Sequence, residues 1–229
     1  MLYRLECLIG ALVFAMPALL LGAEPAADVA RGVEDIAAEP IAANTGPSVV
    51  LLHGLARRAG SMKKLEVALA AEGYYVCNIG YPSTKFPIDV LAAEYVLPAI
   101  EACVGKDNTS AVNFVTHSLG GIIVRQLRAT AAPINFGRVV MLGPPNAGSE
   151  VVDTLGGWSA FQWFNGPAGN ELGTDALPGA LGPTDLDVGI IAGSSTINFI
   201  LSRMIPGDDD GKVAIEHTKL EGMRDFIVL

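Results

Sequence analysis

The heptapeptide Val115-Thr116-His117-Ser118-Leu119-Gly120-Gly121 decides the fold. It closes an apolar run from Ala111 to Thr116. It then passes without a spacer into a helical pattern from Leu119 to Ala131, with Ile122, Ile123 and Leu127 apolar. A strand that turns straight into a helix around a serine is the setting of a G-x-S-x-G elbow, a turn so tight that small residues must flank the serine. Gly120 fills the second glycine position, and Thr116 stands at the first. A serine on this bend lifts its hydroxyl above the sheet, and the N-terminal N–H groups of the new helix face any oxyanion formed there. Ser118 is therefore the candidate nucleophile, and the Leu119 N–H a candidate oxyanion donor. The competing reading is an ordinary helix start with Ser118 as its N-cap.

Outward from this turn, short apolar runs alternate with helical patterns. Ser48 to His53 reads as a buried strand between Pro47 and Gly54. Ser61 is placed to cap a helix that presents Met62, Leu65, Leu69 and Glu72 on one face and ends at Gly73. Further strands are expected at Tyr74–Ile79, Arg138–Leu142, Val188–Ala192 and from Phe226. A helix is expected from Ile88 to Val104, kinked or split by Pro98. Strand and helix alternating at this spacing predict an α/β chain, a mostly parallel sheet with helices on both faces. In such sheets chemistry gathers at the carboxyl ends of the strands. His53-Gly54-Leu55 follows the first strand there, so the Leu55 N–H is the second candidate oxyanion donor, while the His53 side chain is expected to serve structure.

Composition narrows the function classes. The chain has 229 residues, 15 basic and 24 acidic, for a formal net charge of −9. An acidic chain with no Lys/Arg block is a poor partner for a phosphate backbone, which argues against nucleic acid. With 51% hydrophobic and 17% charged residues it is not a disordered chain. Three cysteines are too few for a disulfide scaffold or a multi-cysteine zinc module. Cys77 and Cys103 can be bridged in an oxidising compartment or stay as two half-buried thiols, and the second reading is preferred here. Residues 1–23 contain an uncharged apolar run from Cys7 to Ala23, which reads as a signal peptide or a membrane anchor. Either places the remainder outside the cytoplasm, exported or anchored with an extracytoplasmic domain. Residues 24–47, rich in Ala, Pro and acid, read as a linker, and 48–229 as the domain.

Five stretches together resemble the α/β-hydrolase superfamily, and within it the bacterial esterase branch related to triacylglycerol lipases. They are VVLLHG (Val49–Gly54), NIGYPS (Asn78–Ser83), VTHSLGG (Val115–Gly121), MLGPPNAGSE (Met141–Glu150) and DGKV (Asp210–Val213). The resemblance implies serine-based hydrolysis of a small ester or lipid, with Ser118 as nucleophile, Asp210 as acid and no cofactor. Membrane association fits the leader, and the oligomeric state is left open.

The chain order expected is Ser, acid, His. Asp210, in the loop Pro206–Val213, is the acid by its Asp-Gly step; the alternative is a solvated turn. The Asp run lacks the spacing of a calcium loop, and no metal is expected. The base is harder to find. His53 belongs to the oxyanion strand, His117 diverges from Ser118 at the elbow, and His217 precedes the last strand. The resemblance puts the catalytic His just after that strand, so the carboxyl end reads as truncated at Leu229. Residues 146–186 form a lid-like insertion that carries Trp158 and Trp163 between glycines, the alternative being a packed helical subdomain. Two other functions compete with ester hydrolysis: an acyltransferase that uses the same acyl-enzyme, and a non-catalytic, membrane-associated binding protein of this fold.

Overall fold

A computed structural model describes residues 46–106, 108–149, 152–153, 159–193 and 215–229. Six strands form one sheet: β1 (Ser48–Leu52), β2 (Tyr75–Ile79), β3 (Val112–His117), β4 (Phe136–Leu142), β5 (Asp187–Ala192) and β6 (Asp225–Val228). Their spatial order is β2-β1-β3-β4-β5-β6, and all five pairings are parallel. The order reverses between β1 and β3, which makes the carboxyl ends of these two strands a switch point where α/β sheets bind ligands.

The reason β1 reads as an unbroken apolar run is visible in its surroundings. Val50 and Leu52 face the main core, with Ile79, Ile122 and Ile123, whereas Val49 and Leu51 face a second cluster with Met62 and Val76. Both faces are covered, so period-two polarity has no place. Against the second face lies α1 (Lys63–Ala71), entered through a 3₁₀ turn (Ala59–Met62). Ser61 does not cap α1. It lies inside the 3₁₀ turn and its Oγ donates to the Arg58 carbonyl at 2.7 Å, because the helix axis starts one turn earlier than the apolar spacing implied. Glu72, placed by that spacing on the inner face, is exposed, and Glu66 is buried instead. The Glu66 carboxylate accepts from Lys63 Nζ at 2.8 Å and from Asn78 Nδ2 at 2.7 Å, the pairing a buried charge requires.

Pro98 splits its helix as expected, by way of a wider segment. The pieces are α2 (Ile88–Val90), a π-helical stretch (Leu91–Val96) and α3 (Leu97–Val104). The Leu97 N–H reaches back five residues to the Ala92 carbonyl, and Pro98 then enters near the start of α3, where a missing N–H is harmless. Further helices among the described residues are α4 (Leu119–Ala129), α5 (Ser159–Asn170) and α6 (Leu177–Ala180). Among the described residues no helix is long and apolar enough to cross a membrane. The leader at 1–23 and the linker at 24–47, up to residue 45, lie outside them.

Cys77 and Cys103 are bridged, with their Cα atoms 6.2 Å apart, which corrects the reading as two thiols. The bridge ties β2 to α3 across 26 positions of chain. Closing a loop of that size in the unfolded chain is worth about 3–4 kcal/mol. Cys77→Ala/Cys103→Ala is expected to lose about that much in urea titration. An unchanged midpoint would contradict a stabilising bridge.

Candidate active site

Ser118 stands between the last residue of β3 and the first of α4, with φ +50° and ψ −117°. This is not a helical conformation, nor one that a residue bearing a β-carbon adopts without cost, and such strain clusters at functional sites. The bend is held from several sides. The Ser118 N–H donates to the Leu142 carbonyl at the end of β4 at 2.9 Å, and the Ser118 carbonyl accepts from the Gly121 N–H at 2.9 Å. A β-carbon on Gly120 would lie 2.7 Å from the Leu52 carbonyl oxygen of β1, so only glycine fits there. One on Gly121 would come within 3.2 Å of Met141 Sδ and 3.4 Å of Thr116 Oγ1. Thr116 is fully buried, and its hydroxyl has no hydrogen-bond partner among the described residues.

Ser118 is half-buried, while Leu119 and Gly120 behind it are buried. Its hydroxyl makes no hydrogen bond among the described residues, so it does not cap α4. The loop after β1 comes close on the other side. A β-carbon on Gly54 would lie 3.3 Å from Ser118 Cβ and 2.6 Å from His117 Nδ1. The structure thus brings Ser118 and the Gly54–Leu55 turn together, and neither the Leu55 nor the Leu119 N–H has a partner among the described residues. Two backbone donors without partners among the described residues, near a strained, half-buried serine, are the elements from which an oxyanion site is built.

No family model matches the chain, and no curated protein is detectably similar to it. Solved structures do match. The mature lipase BlEst2 of Bacillus licheniformis superposes with a TM-score of 0.59 at 19% identity, over 83% of this chain and 88% of the lipase. The esterase EaEST of Exiguobacterium antarcticum gives 0.52 at 17% identity, over 83% and 85%. Phospholipase PlaB of Legionella pneumophila gives 0.51 at 18% identity, over 67% of this chain but only 40% of its own. The chain has the α/β-hydrolase fold.

Within this fold the three histidines differ sharply. His53 is buried and committed at both ring nitrogens. Its Nδ1–H donates to the Gly54 carbonyl at 2.9 Å, and its Nε2 accepts from the Tyr81 N–H at 3.3 Å. Its ring stacks on Tyr81 at 4.1 Å, and the Tyr81 hydroxyl donates to the His53 carbonyl. The expected structural role of His53 is what these contacts describe. His117 ends β3 beside Ser118 and makes no hydrogen bond to it. His217 lies on a turn whose carbonyl accepts from the Ala147 N–H at 2.9 Å. Asp210 lies outside the described residues. Among the described residues there is no cluster of three His, Cys, Asp or Glu side chains able to hold a metal.

His53 and His117 both titrate below the ordinary imidazole value of 6.5, chiefly because burial disfavours the charged ring. Repulsion from Arg57 adds to the effect at His117, and repulsion from His117 adds to it at His53, where the bond to the Gly54 carbonyl opposes it. The unfolded chain therefore takes up protons below pH 6.5 before the folded one does. The stability from keeping these rings neutral is complete above pH 6.5 and is lost as pH falls from there toward the folded values. The melting temperature is expected to hold between pH 7 and 8 and to fall as pH drops below about 6.5, with a smaller fall in His117→Asn. A flat profile in both proteins would contradict these buried neutral rings.

The described part of the insertion is packed and borders this site. The chain bends at Gly166 (φ +64°), where a β-carbon would collide with the Thr84 backbone. Ala168 and Leu172 then enter the main core. Glu171 accepts from the Ile88 N–H at 2.7 Å, and Leu55 Cδ2 lies 3.2 Å from where a β-carbon on Gly169 would be. Arg125 of α4 is buried and anchors the segment, donating to the carbonyls of Asn146, Pro178 and Gly182 at 2.8–3.2 Å. Burial lowers its pKa to about 10, so it stays charged at neutral pH. Residues 154–158, with Trp158, and the side chain of Trp163 lie outside what is described. Two contacts of the site had no assignment in the sequence reading: Tyr81 against His53, and Ser83, whose Oγ accepts the Ala56 N–H at 3.0 Å. Their signal was the NIGYPS stretch, a matching piece with no role attached.

Proposed function

We propose that this chain is a serine-dependent carboxylic ester hydrolase acting through an acyl-enzyme on Ser118. The observation that carries this reading is the backbone of Ser118. Its strained bend at the carboxyl edge of a parallel sheet sets a half-buried serine near two N–H groups that have no partner among the described residues. Ser118 Oγ attacks the ester carbonyl, and the N–H groups of Leu55 and Leu119 hold the oxyanion. The tetrahedral intermediate collapses with loss of the alcohol, and water then attacks the acyl-enzyme to release the acid and restore Ser118. Asp210 is the acid that orients the general base. The substrate is a small ester or lipid. The Cys77–Cys103 bridge supports an exported protein, since such bonds persist in oxidising compartments.

Turnover of p-nitrophenyl esters of increasing acyl length tests the reading, with product analysis in the presence of an added alcohol. Free acid as the main product supports hydrolysis. Transfer to the alcohol would make the protein an acyltransferase, and no turnover of any ester would overturn both.

A further inference from the structure

The turn after β1 brings a positive charge to the rim of the site. The Arg57 N–H closes this turn on the Gly54 carbonyl at 3.2 Å, and a four-residue turn keeps its first and last Cα atoms within about 7 Å. Gly54, its first residue, packs against the elbow: a β-carbon there would lie 2.6 Å from His117 Nδ1 and 3.3 Å from Ser118 Cβ. Arg57 is thus held by its backbone one turn away from the candidate nucleophile. The residue is exposed, and its guanidinium makes no hydrogen bond or ion pair among the described residues. The turn uses only its N–H, which most residue types would supply equally well.

The charges around Arg57 do not cancel it. The segments that leave the carboxyl ends of β1 and β2, residues 53–62 and 80–87, hold Arg57, Arg58 and Lys85 and no acid. Carboxylates on the neighbouring elements are engaged locally. Glu171 accepts from the Ile88 N–H at 2.7 Å, Asp89 from the Val90 N–H at 2.8 Å and Asp153 from the Thr174 hydroxyl at 2.7 Å. His117 registers the result, since it is repelled by Arg57 and no described carboxylate offsets this. In a chain with a formal net charge of −9, a positive field beside the reacting serine runs against the average and favours an anionic ligand. From this placement we infer that the substrate is an ester carrying an anionic group, a phosphate or a carboxylate, close to the scissile carbonyl, and that the Arg57 guanidinium receives that group. The planar fork of a guanidinium matches two oxygens of either anion at once. The inference rests on the acyl-enzyme reading and names the substrate class of that site.

The test compares full-length wild type, Arg57→Gln and Arg138→Gln on two matched pairs of soluble esters. One pair is p-nitrophenyl hexanoate and the mono-p-nitrophenyl ester of adipic acid, which differ by a carboxylate on the acyl side. The other is dihexanoylglycerol and dihexanoylphosphatidic acid, which differ by a phosphate on the alcohol side. The readout is kcat/KM for the anionic ester over that for the neutral one, a ratio in which any loss of folded protein cancels. Wild type is expected to prefer the anionic ester in at least one pair, and the pair that responds identifies the source of the charge. Arg57→Gln is expected to lower that ratio about five-fold, the effect of one solvent-exposed charge contact. Arg138→Gln removes the same charge near the amino end of β4, where the side chain is 85% exposed, and is expected to leave the ratio unchanged. Raising the salt from about 0.01 M to about 1 M is expected to lower the ratio in wild type, because the screening length falls from about 30 Å to about 3 Å. No preference for the anionic ester in either pair, an unchanged ratio in Arg57→Gln, or an equal loss in Arg138→Gln overturns the inference. If wild type neither hydrolyses any of the four esters nor takes up a fluorophosphonate, the acyl-enzyme reading is what fails.

Discussion

In protein that carries its general base, Ser118→Ala is expected to lower ester hydrolysis by at least about 10³-fold while the fold is kept. Without the hydroxyl no acyl-enzyme forms, and only the rate supplied by binding and the oxyanion donors remains. The stability side of the expectation comes from the structure. The Ser118 hydroxyl makes no hydrogen bond among the described residues, so its removal strands no partner. The left-handed backbone costs alanine no more than serine, and the change in stability should stay within about 0.5 kcal/mol. Steady-state kinetics and a thermal melt on the same preparation check both halves. A variant that keeps its activity would show that Ser118 is not the nucleophile. One that unfolds would show that the bend is held by the hydroxyl and not by the backbone.

Gly120→Ala is expected to damage fold and function together. The added methyl would lie 2.7 Å from the Leu52 carbonyl oxygen and 2.9 Å from Leu52 Cβ, both on the buried strand β1. The obstacle is backbone hydrogen-bonded on both sides, to β2 and to β3, and it cannot move aside as a flexible side chain would. Overpacking of this kind costs about 3 kcal/mol. Relief by tilting α4 would displace the Leu119 N–H from Ser118, and a shift of about 1 Å can cost about 100-fold in rate. Gly60→Ala is the control, since nothing lies within 4 Å of a β-carbon there. Equal melting temperatures for the two variants would contradict the close packing of α4 on β1.

What could be read in the sequence was what short-range pattern encodes. The run Val49–Leu52 announces a strand covered on both faces, and Ser-Leu-Gly-Gly after an apolar strand announces the bend at Ser118 because sterics allow few residues there. Contacts made across the fold were not legible. Cys77 and Cys103 stand 26 positions apart, and only the packing of α3 on β2 brings them to bonding distance. Glu66 reads as a surface residue until Asn78 of β2 is seen to reach it. Ser83 serves a turn 27 residues upstream, so its hydroxyl has no local signature. Pro98 promised a break, but not that the helix would widen to a π-helical turn before it.

The most direct test is to treat the full chain with a fluorophosphonate, digest it and locate the adduct by mass spectrometry. The account predicts a single modified serine at position 118, absent from Ser118→Ala and from heat-unfolded protein. Modification of another serine, or no modification of the folded protein, would contradict it.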